Sequence, residues 1–139
     1  MKTLIYCAFT LSIIGKVLSQ NSVSMYNNTD KLIYCCYAYF DNTNKCWTSK
    51  GWYAIDSYTE KTLNLGNYLG DIYIHGYSIN PATFWTSETK NKWGRGFSFC
   101  INHGNAFEIR FADKISCDNR ENFSQFKIKY GKNPWTFNP

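Results

Sequence analysis

Two histidines, a glutamate and an arginine have the side-chain types that a secreted hydrolase such as a ribonuclease uses; they are His75, His103, Glu108 and Arg110. Such an enzyme needs an acid–base pair to move protons and a cation to hold the phosphate. No motif fixes the four residues together, because His103 lies in an Asn-His-Gly-Asn sequence typical of a turn and His75 alternates with tyrosines as strand residues do. A hydrolase is therefore an alternative function, and a protein without catalytic activity is the preferred prediction.

Aromatic side chains make up 19% of the chain and indicate binding rather than catalysis. Flat rings stack on the apolar faces of sugars, while tyrosine and tryptophan keep a polar group for hydrogen bonding. The candidate ligand-binding residues are Tyr73, Tyr77, Trp85, Trp93 and Arg95. The competing interpretation is a place in the hydrophobic core, because small β domains fill their cores with aromatic rings. The core is preferred for Trp47, Trp52 and Trp93, whereas both interpretations stay open for Trp85.

A basic and aromatic segment contains Lys90, Lys92, Trp93 and Arg95, which favours contact with anionic membranes or glycans. Association with lipid, or with copies of the same chain, is the second alternative function. The formal net charge of the whole chain is +5, which is mild and does not predict a nucleic-acid partner. We expect no metal site and no cofactor, because the histidines and carboxylates form no closely spaced ligand pattern and the cysteines fit disulfide bonds.

The elements that position these residues are strands. Short segments of alternating apolar and polar residues predict about eight strands, at 22–26, 31–40, 45–55, 61–65, 71–78, 97–101, 107–111 and 126–130. No segment has clean helical periodicity, so we expect an all-β fold, a small antiparallel β-sandwich or flattened barrel. The stretch 45–55 is predicted as the central strand. The stretch 31–40 is apolar on both faces, which is typical of a strand covered on both sides.

Three local features modify this pattern. Gly51 predicts a bulge, or a ring lying across the backbone of its strand. The stretch 79–92 is the longest irregular one and is the expected functional loop. The residues 131–139 contain two prolines and are expected to form an extended tail or to be disordered.

The first 19 residues have the features of a signal peptide, with a lysine near the start and an apolar run over 4–14. The β-branched Val17 and the small Ser19 occupy positions minus three and minus one of a cleavage point after Ser19. The apolar run is shorter than the roughly 20 residues that a transmembrane helix needs, and Lys16 interrupts it. We therefore expect an extracellular protein with no transmembrane segment. The residues 20–139 are long enough for a single β domain.

Two triplets match the acceptor pattern for N-glycosylation, Asn27-Asn28-Thr29 and Asn122-Phe123-Ser124. In a secreted protein they predict surface glycans on Asn27 and Asn122. Such triplets also arise by chance in a chain that is rich in asparagine.

Five cysteines follow the leader, namely Cys35, Cys36, Cys46, Cys100 and Cys117. In an oxidising compartment they are expected to form disulfide bonds rather than to bind metal. The odd number leaves one thiol without a partner inside the chain, either buried or joining two copies. Adjacent strand residues point to opposite faces, so at most one of Cys35 and Cys36 reaches Cys46, and Cys36 is the candidate.

A set of landmarks follows in order along nearly the whole chain after the leader: Asn27-Asn28-Thr29, 37–40, Trp47, Gly51-Trp52, Tyr73, Tyr77, Trp93-Gly94, Phe99-Cys100, Phe107-Glu108-Ile109, Cys117 and 123–128. In these landmarks the chain resembles the mainly bacterial family called domain of unknown function 1036. The resemblance implies an exported β fold, and the family has no established reaction.

The chain departs from the pattern of that family at two cysteines. The family has one cysteine before the first turn and another after a Pro-Gly pair, where this chain has Tyr26 and the region 58–59. Their joint absence fits a disulfide between those positions in relatives, so the resemblance implies that Cys100 pairs with Cys117 here. Closing this loop would contribute about 3 kcal/mol to stability.

These features together predict a secreted β-sandwich module without catalytic activity. Its expected role is to bind a glycan, another surface ligand or an extracellular protein, or to serve a structural purpose.

Overall fold

A computed structural model describes residues 20–79, 82–85 and 97–139 of the protein. Within these residues the chain forms eleven β-strands and no helix. The strands are β1 (Asn21–Asn27), β2 (Ile33–Asp41), β3 (Cys46–Ile55), β4 (Glu60–Gly66), β5 (Gly70–Ser78), β6 (Thr83–Trp85), β7 (Ser98–Cys100), β8 (Phe107–Arg110), β9 (Arg120–Asn122), β10 (Ser124–Ile128) and β11 (Lys132–Phe137).

The strands form three sheets. The six-stranded sheet has the order β10-β5-β2-β3-β8, and β6 pairs with β5 beside this path. The three-stranded sheet has the order β11-β1-β4, and β7 pairs with β9. The sheets form a sandwich-like fold, and none closes into a barrel in the described part of the chain. The predicted all-β fold is confirmed, although β6, β9 and β11 add to the strands expected from the sequence.

Strand β2 lies in the middle of the six-stranded sheet and is buried on both faces. Ile33, Cys35 and Tyr37 belong to one hydrophobic core, whereas Cys36 and Ala38 belong to another. The expectation from its doubly apolar sequence is thus confirmed. Strand β3 lies beside it rather than at the centre, so the prediction that β3 is the central strand is wrong.

Two cores follow from this arrangement. The first core fills the space between the six-stranded and three-stranded sheets; its buried residues are Val23, Met25, Ile33, Cys35, Tyr37, Ile55, Leu63, Ile72, Ile74, Ile128 and Phe137. The second core joins the other face of the large sheet to β7 and the segments around it; its buried residues are Cys36, Ala38, Tyr73, Phe99, Cys100, Ile101, Ala112 and Phe123. Trp47 and Trp52 pack against the second core and keep part of their surface exposed.

The segment expected to be a tail is a strand. β11 pairs in parallel with β1, which places a parallel pair in a fold predicted to be antiparallel. Phe137 is fully buried in the first core, and its ring lies across Gly76, where an added Cβ would come within 2.7 Å of Cε1. Pro134 is compatible with this position, because β11 is at the edge of its sheet and an edge strand tolerates a residue without an N–H group.

The cysteines form a single disulfide bond in the described residues. Cys100 is bonded to Cys117, as the resemblance implied. The predicted bond between Cys36 and Cys46 is wrong, because Cys36 lies opposite Gly51 whereas Cys46 lies opposite Asp41, about 17 Å further along β3. All three remaining thiols are buried, with at most 3% exposure, so none of them is placed to join two copies.

A bulge in β3 brings β2 and β3 into close contact and places Trp52 above the second core. Gly51 lies opposite Cys36 and Tyr53 lies opposite Cys35, so Trp52 is the extra residue of β3. This confirms the bulge predicted from Gly51. A Cβ at position 51 would lie 2.5 Å from the Cβ of Cys36.

Replacing Gly51 with alanine is therefore expected to lower the free energy of unfolding by about 1–3 kcal/mol through overpacking. Urea unfolding of the two proteins measures this difference. Gly104→Ala is the matched control, since its Cβ would meet no atom closer than Asn102 Oδ1 at 3.7 Å. Equal effects of the two substitutions would contradict the tight approach of β2 and β3.

Candidate functional site

The four residues of the hydrolase hypothesis do not converge. His75 and His103 both lie against the ring of Trp52, with centroid distances of 6.1 Å and 6.4 Å. Glu108 and Arg110 point to the opposite face of the large sheet, because Phe107 and Ile109 of the same strand pack against the second core. Tyr39 lies on that opposite face. Burial, and then the negative charge of Glu108, raise the pKa of Tyr39. The sequence-based grouping of these four residues is wrong.

His75 is fully enclosed and is placed for structure rather than for proton transfer. Its Nδ1 donates a hydrogen bond to the carbonyl oxygen of Asn122 at 3.0 Å. Its Nε2 has no hydrogen-bond partner among the described residues. Burial lowers the pKa of His75 from its ordinary value of 6.5, and the hydrogen bond to Asn122 offsets this only in part. The imidazole is therefore neutral near pH 7 and is covered by Trp52 and Phe123.

A row of aromatic side chains crosses three strands at one end of the large sheet. Tyr34 of β2 lies opposite Tyr77 of β5, and Tyr77 lies opposite Phe84 of β6. The rings of Tyr34 and Tyr77 are stacked, with centroids 5.4 Å apart and an interplanar angle of 28°. Phe84 is 57% exposed, and the two tyrosines are partly exposed. We call Tyr34, Tyr77 and Phe84 the aromatic row.

Trp52 of the neighbouring strand β3 contacts one member of the aromatic row, Tyr77. Its ring meets Tyr77 edge to face at 5.1 Å, and its Nε1 donates a hydrogen bond to the carbonyl oxygen of Asn102 at 2.6 Å. His103 also stacks on the indole, and its Nε2 lies 3.4 Å from Oε1 of Glu121. The bulge in β3 thus directs Trp52 to a position from which it fixes the rings around it.

The aromatic row is a band of partly exposed rings on three neighbouring strands. Neighbouring strands are about 4.8 Å apart, so the row extends about 10 Å from β2 to β6. Exposed apolar side chains continue the surface at Leu32 and Ile79, with 38% and 58% exposure. Burial, and then the neighbouring Tyr34, raise the pKa of Tyr77, which keeps its hydroxyl protonated as a hydrogen-bond donor. The row can stack on a ligand and direct a hydroxyl to it.

The predicted ligand-binding residues have different positions. Tyr77 belongs to the aromatic row. Tyr73 is on the same face of β5 but is buried between Trp47 and Phe99, so its assignment to a binding site is wrong. Burial raises the pKa of Tyr73 to about 12. Trp93 and Arg95 lie outside the described residues. Tyr34 and Phe84 are not among the predicted ligand-binding residues, although Tyr34 shares the even-numbered face of its strand with Cys36.

Trp85 points away from the aromatic row. Its ring packs edge to face against Phe137 at 5.9 Å, and its Nε1 donates a hydrogen bond to the carbonyl oxygen of Asn138 at 2.6 Å. It borders a small cavity of about 160 Å³ next to Lys31 and Pro139. The loop position that suggested a functional role therefore corresponds to a short strand, β6, with its two aromatic residues on opposite faces.

Asn27 does not fit the predicted glycosylation. Its side chain is fully buried, and its Nδ2 donates to the carbonyl oxygens of Lys31, Ile55 and Asp56. Its Oδ1 accepts hydrogen bonds from the N–H and the hydroxyl of Thr29. A glycan on Nδ2 would remove these bonds, so the prediction for Asn27 is wrong in this fold. Asn122 is exposed on β9, and glycosylation there stays a prediction.

No protein-family model, curated protein or solved structure matches the chain. The resemblance to the domain of unknown function 1036 therefore remains a prediction. Across the described segments there is no helix with the length and apolar character that a membrane span requires. The same segments contain no cluster of three or more histidine, cysteine, aspartate or glutamate residues suited to holding a metal ion.

The enclosed His75 is expected to make stability depend on pH. Its pKa is lower in the folded protein than the value of 6.5 in the unfolded chain, so the unfolded chain binds the proton more tightly. Its stabilising contribution is complete above about pH 6.5 and is lost as the pH falls towards the folded value, with a slope of at most about 1.4 kcal/mol per pH unit. Urea unfolding between about pH 7.5 and pH 5.5 measures the loss.

His75→Asn keeps a donor for the Asn122 carbonyl and cannot become charged, so its free energy of unfolding should change less over this range. His103→Asn is the control and should retain the pH dependence, since His103 is 46% exposed. Hydrogen bonds lower the pKa values of Asp41 and Glu60 from 3.8 and 4.5, so these groups change the free energy of unfolding only at more acidic pH. An unchanged slope in His75→Asn would contradict this assignment.

Proposed function

We propose that the protein is a secreted module without catalytic activity, which binds glycans through the aromatic row. The observation that carries this proposal is the alignment of Tyr34, Tyr77 and Phe84 across three strands, with Phe84 57% exposed. Exposed aromatic rings in a contiguous group are unusual on a soluble protein and are typical of interaction surfaces. Stacking of flat rings on the apolar faces of sugars is the interaction that this arrangement favours.

The rings are held before a ligand arrives, which supports binding. Tyr34 and Tyr77 stack on each other, and the ring of Trp52 contacts Tyr77 edge to face. Side chains on paired strands lose little conformational freedom when a ligand binds, so more of the interaction energy contributes to affinity. A polysaccharide chain lying along the row would contact several rings at once.

The four residues considered for a hydrolase do not converge, which favours binding over hydrolysis. His75 is enclosed, and Glu108 and Arg110 are on the opposite face of the sheet. The disulfide between Cys100 and Cys117 supports secretion, because such bonds persist in oxidising compartments. The signal peptide predicted for residues 1–19 is the second argument for an extracellular location.

Loss of a ring from the aromatic row should weaken binding to polysaccharides. Phe84→Ala and Tyr77→Ala are each expected to reduce the affinity about tenfold or more, equivalent to about 1.4 kcal/mol, because one stacking contact is removed. Depletion of the protein from solution by insoluble cellulose, chitin, β-1,3-glucan and mannan measures the affinity, and a glycan array extends the search to soluble chains.

Tyr130→Ala is the matched control, since Tyr130 is 74% exposed and lies outside the row. Thermal unfolding of each variant separates loss of binding from loss of folding. The proposal fails if no glycan binds, or if Phe84→Ala and Tyr77→Ala both bind as well as the parent protein. Cleavage of RNA that is lost in His75→Asn would support the hydrolase instead. A change of molecular mass in Phe84→Ala, without an effect on glycans, would assign the row to self-association.

A further inference from the structure

A cleft lies on the face of the large sheet opposite the aromatic row. Its volume is about 400 Å³, within the range of about 300–1,000 Å³ typical of small-molecule sites. One wall is the end of β2 and the turn after it, and the other is the end of β4 and the loop to β5. The lining residues are Tyr37, Tyr39, Phe40, Asp41, Asn42, Asn64, Leu65, Asn67, Tyr68 and Leu69. We call this the tyrosine cleft.

Three tyrosines give the cleft a fixed aromatic surface. Tyr37 and Tyr39 stack with centroids 5.7 Å apart, and Tyr68 stands edge-on to Tyr39 at 6.2 Å and 86°. The hydroxyl of Tyr68 donates to the carbonyl oxygen of Asp71 at 2.6 Å and accepts from the N–H of Phe40 at 3.2 Å. Tyr68 therefore connects the two walls, and the cleft is formed before any ligand enters.

The polar groups of the cleft are mainly amides. The side chains of Asn42, Asn64 and Asn67 are exposed, and the described residues offer them no hydrogen-bond partner. Each amide can donate and accept, as sugar hydroxyls also do. Asp41 is the charged lining residue; its carboxylate accepts hydrogen bonds from the N–H groups of Thr43 and Asn44 and from Asn44 Nδ2.

The charge of the lining distinguishes between ligand classes. The lining contains one carboxylate and no lysine or arginine. The hydrogen bonds from Asn44, and then the more distant charge of Arg110, lower the pKa of Asp41, so it is ionised at neutral pH. Burial raises the pKa of Tyr68, so its phenol is neutral. Aromatic faces, unpaired amides and one negative charge suit an uncharged ligand that carries several hydroxyl groups.

We propose that the tyrosine cleft is a second binding site, which takes a neutral carbohydrate of about one or two rings. The cleft shares no residue with the aromatic row and lies on the other face of the sheet, so this proposal stands independently of the proposed function. The tyrosines contact the apolar face of the sugar, and the asparagine amides bind its hydroxyl groups.

Titration of the full chain with small sugars, followed by two-dimensional amide NMR, tests the proposal. The probes are the methyl glycosides of glucose, galactose, mannose and N-acetylglucosamine, the disaccharides cellobiose and chitobiose, and glucuronic acid. At least one neutral probe should bind saturably with a Kd below about 10 mM. Tyr39→Ala and Asn64→Ala should each weaken it about tenfold, and glucuronic acid should bind at least about tenfold more weakly than glucose.

Phe84→Ala should leave this binding unchanged, which separates the cleft from the aromatic row. Asn64 is exposed, so its substitution should not disturb folding even if Tyr39→Ala does. The proposal is overturned if no neutral probe saturates, if both cleft variants bind like the parent protein, or if glucuronic acid binds as tightly as glucose. Binding that is lost in Phe84→Ala but kept in Asn64→Ala would assign the small sugar to the row and also overturn it.

Discussion

The burial of β2 on both faces is the constraint on which the rest of the structure depends. Cys35 and Tyr37 enter one core while Cys36 and Ala38 enter the other, so the large sheet must be covered twice. The three-stranded sheet covers one face, and the segments around β7, joined by the disulfide, cover the other. The covers leave aromatic side chains exposed at both ends of β2. The row containing Tyr34 and the cleft containing Tyr39 lie at these two ends.

The sequence predicts those strands whose periodicity is long enough to be recognised. β2, β3 and β5 have nine or ten residues each and were predicted within two residues of their ends. β6 and β9 have three residues each, too few to show alternation. β11 contains Pro134 and has no clean apolar pattern, and its conformation is determined by pairing with β1. A local pattern cannot reveal a partner that is 110 residues away in the chain.

The binding surfaces were less predictable, because they depend on which parts of a strand another layer covers. Tyr73 and Tyr77 share one face of β5. The second core encloses Tyr73, whereas Tyr77 stays partly accessible. The direction of Trp85 follows from the pairing of β6 with β5. The predicted disulfide between Cys36 and Cys46 was wrong for a similar reason, because the register of the hairpin determines which residues of β3 lie opposite Cys36. Residue types alone identify candidates, and only tertiary packing separates exposed rings from buried ones.

The pairing of β1 with β11 also has a consequence for how the chain reaches its native state. β1 is synthesised 110 residues before its parallel neighbour, and until that neighbour arrives one edge of β1 has unpaired N–H and C=O groups. The contact between the ring of Phe137 and Gly76 is likewise absent until β11 has been synthesised. Contacts of such high sequence separation form late and slowly. The first core is therefore completed only after β11 has been synthesised. A chain truncated before β11 would leave one edge of β1 unpaired and open to proteolysis and aggregation.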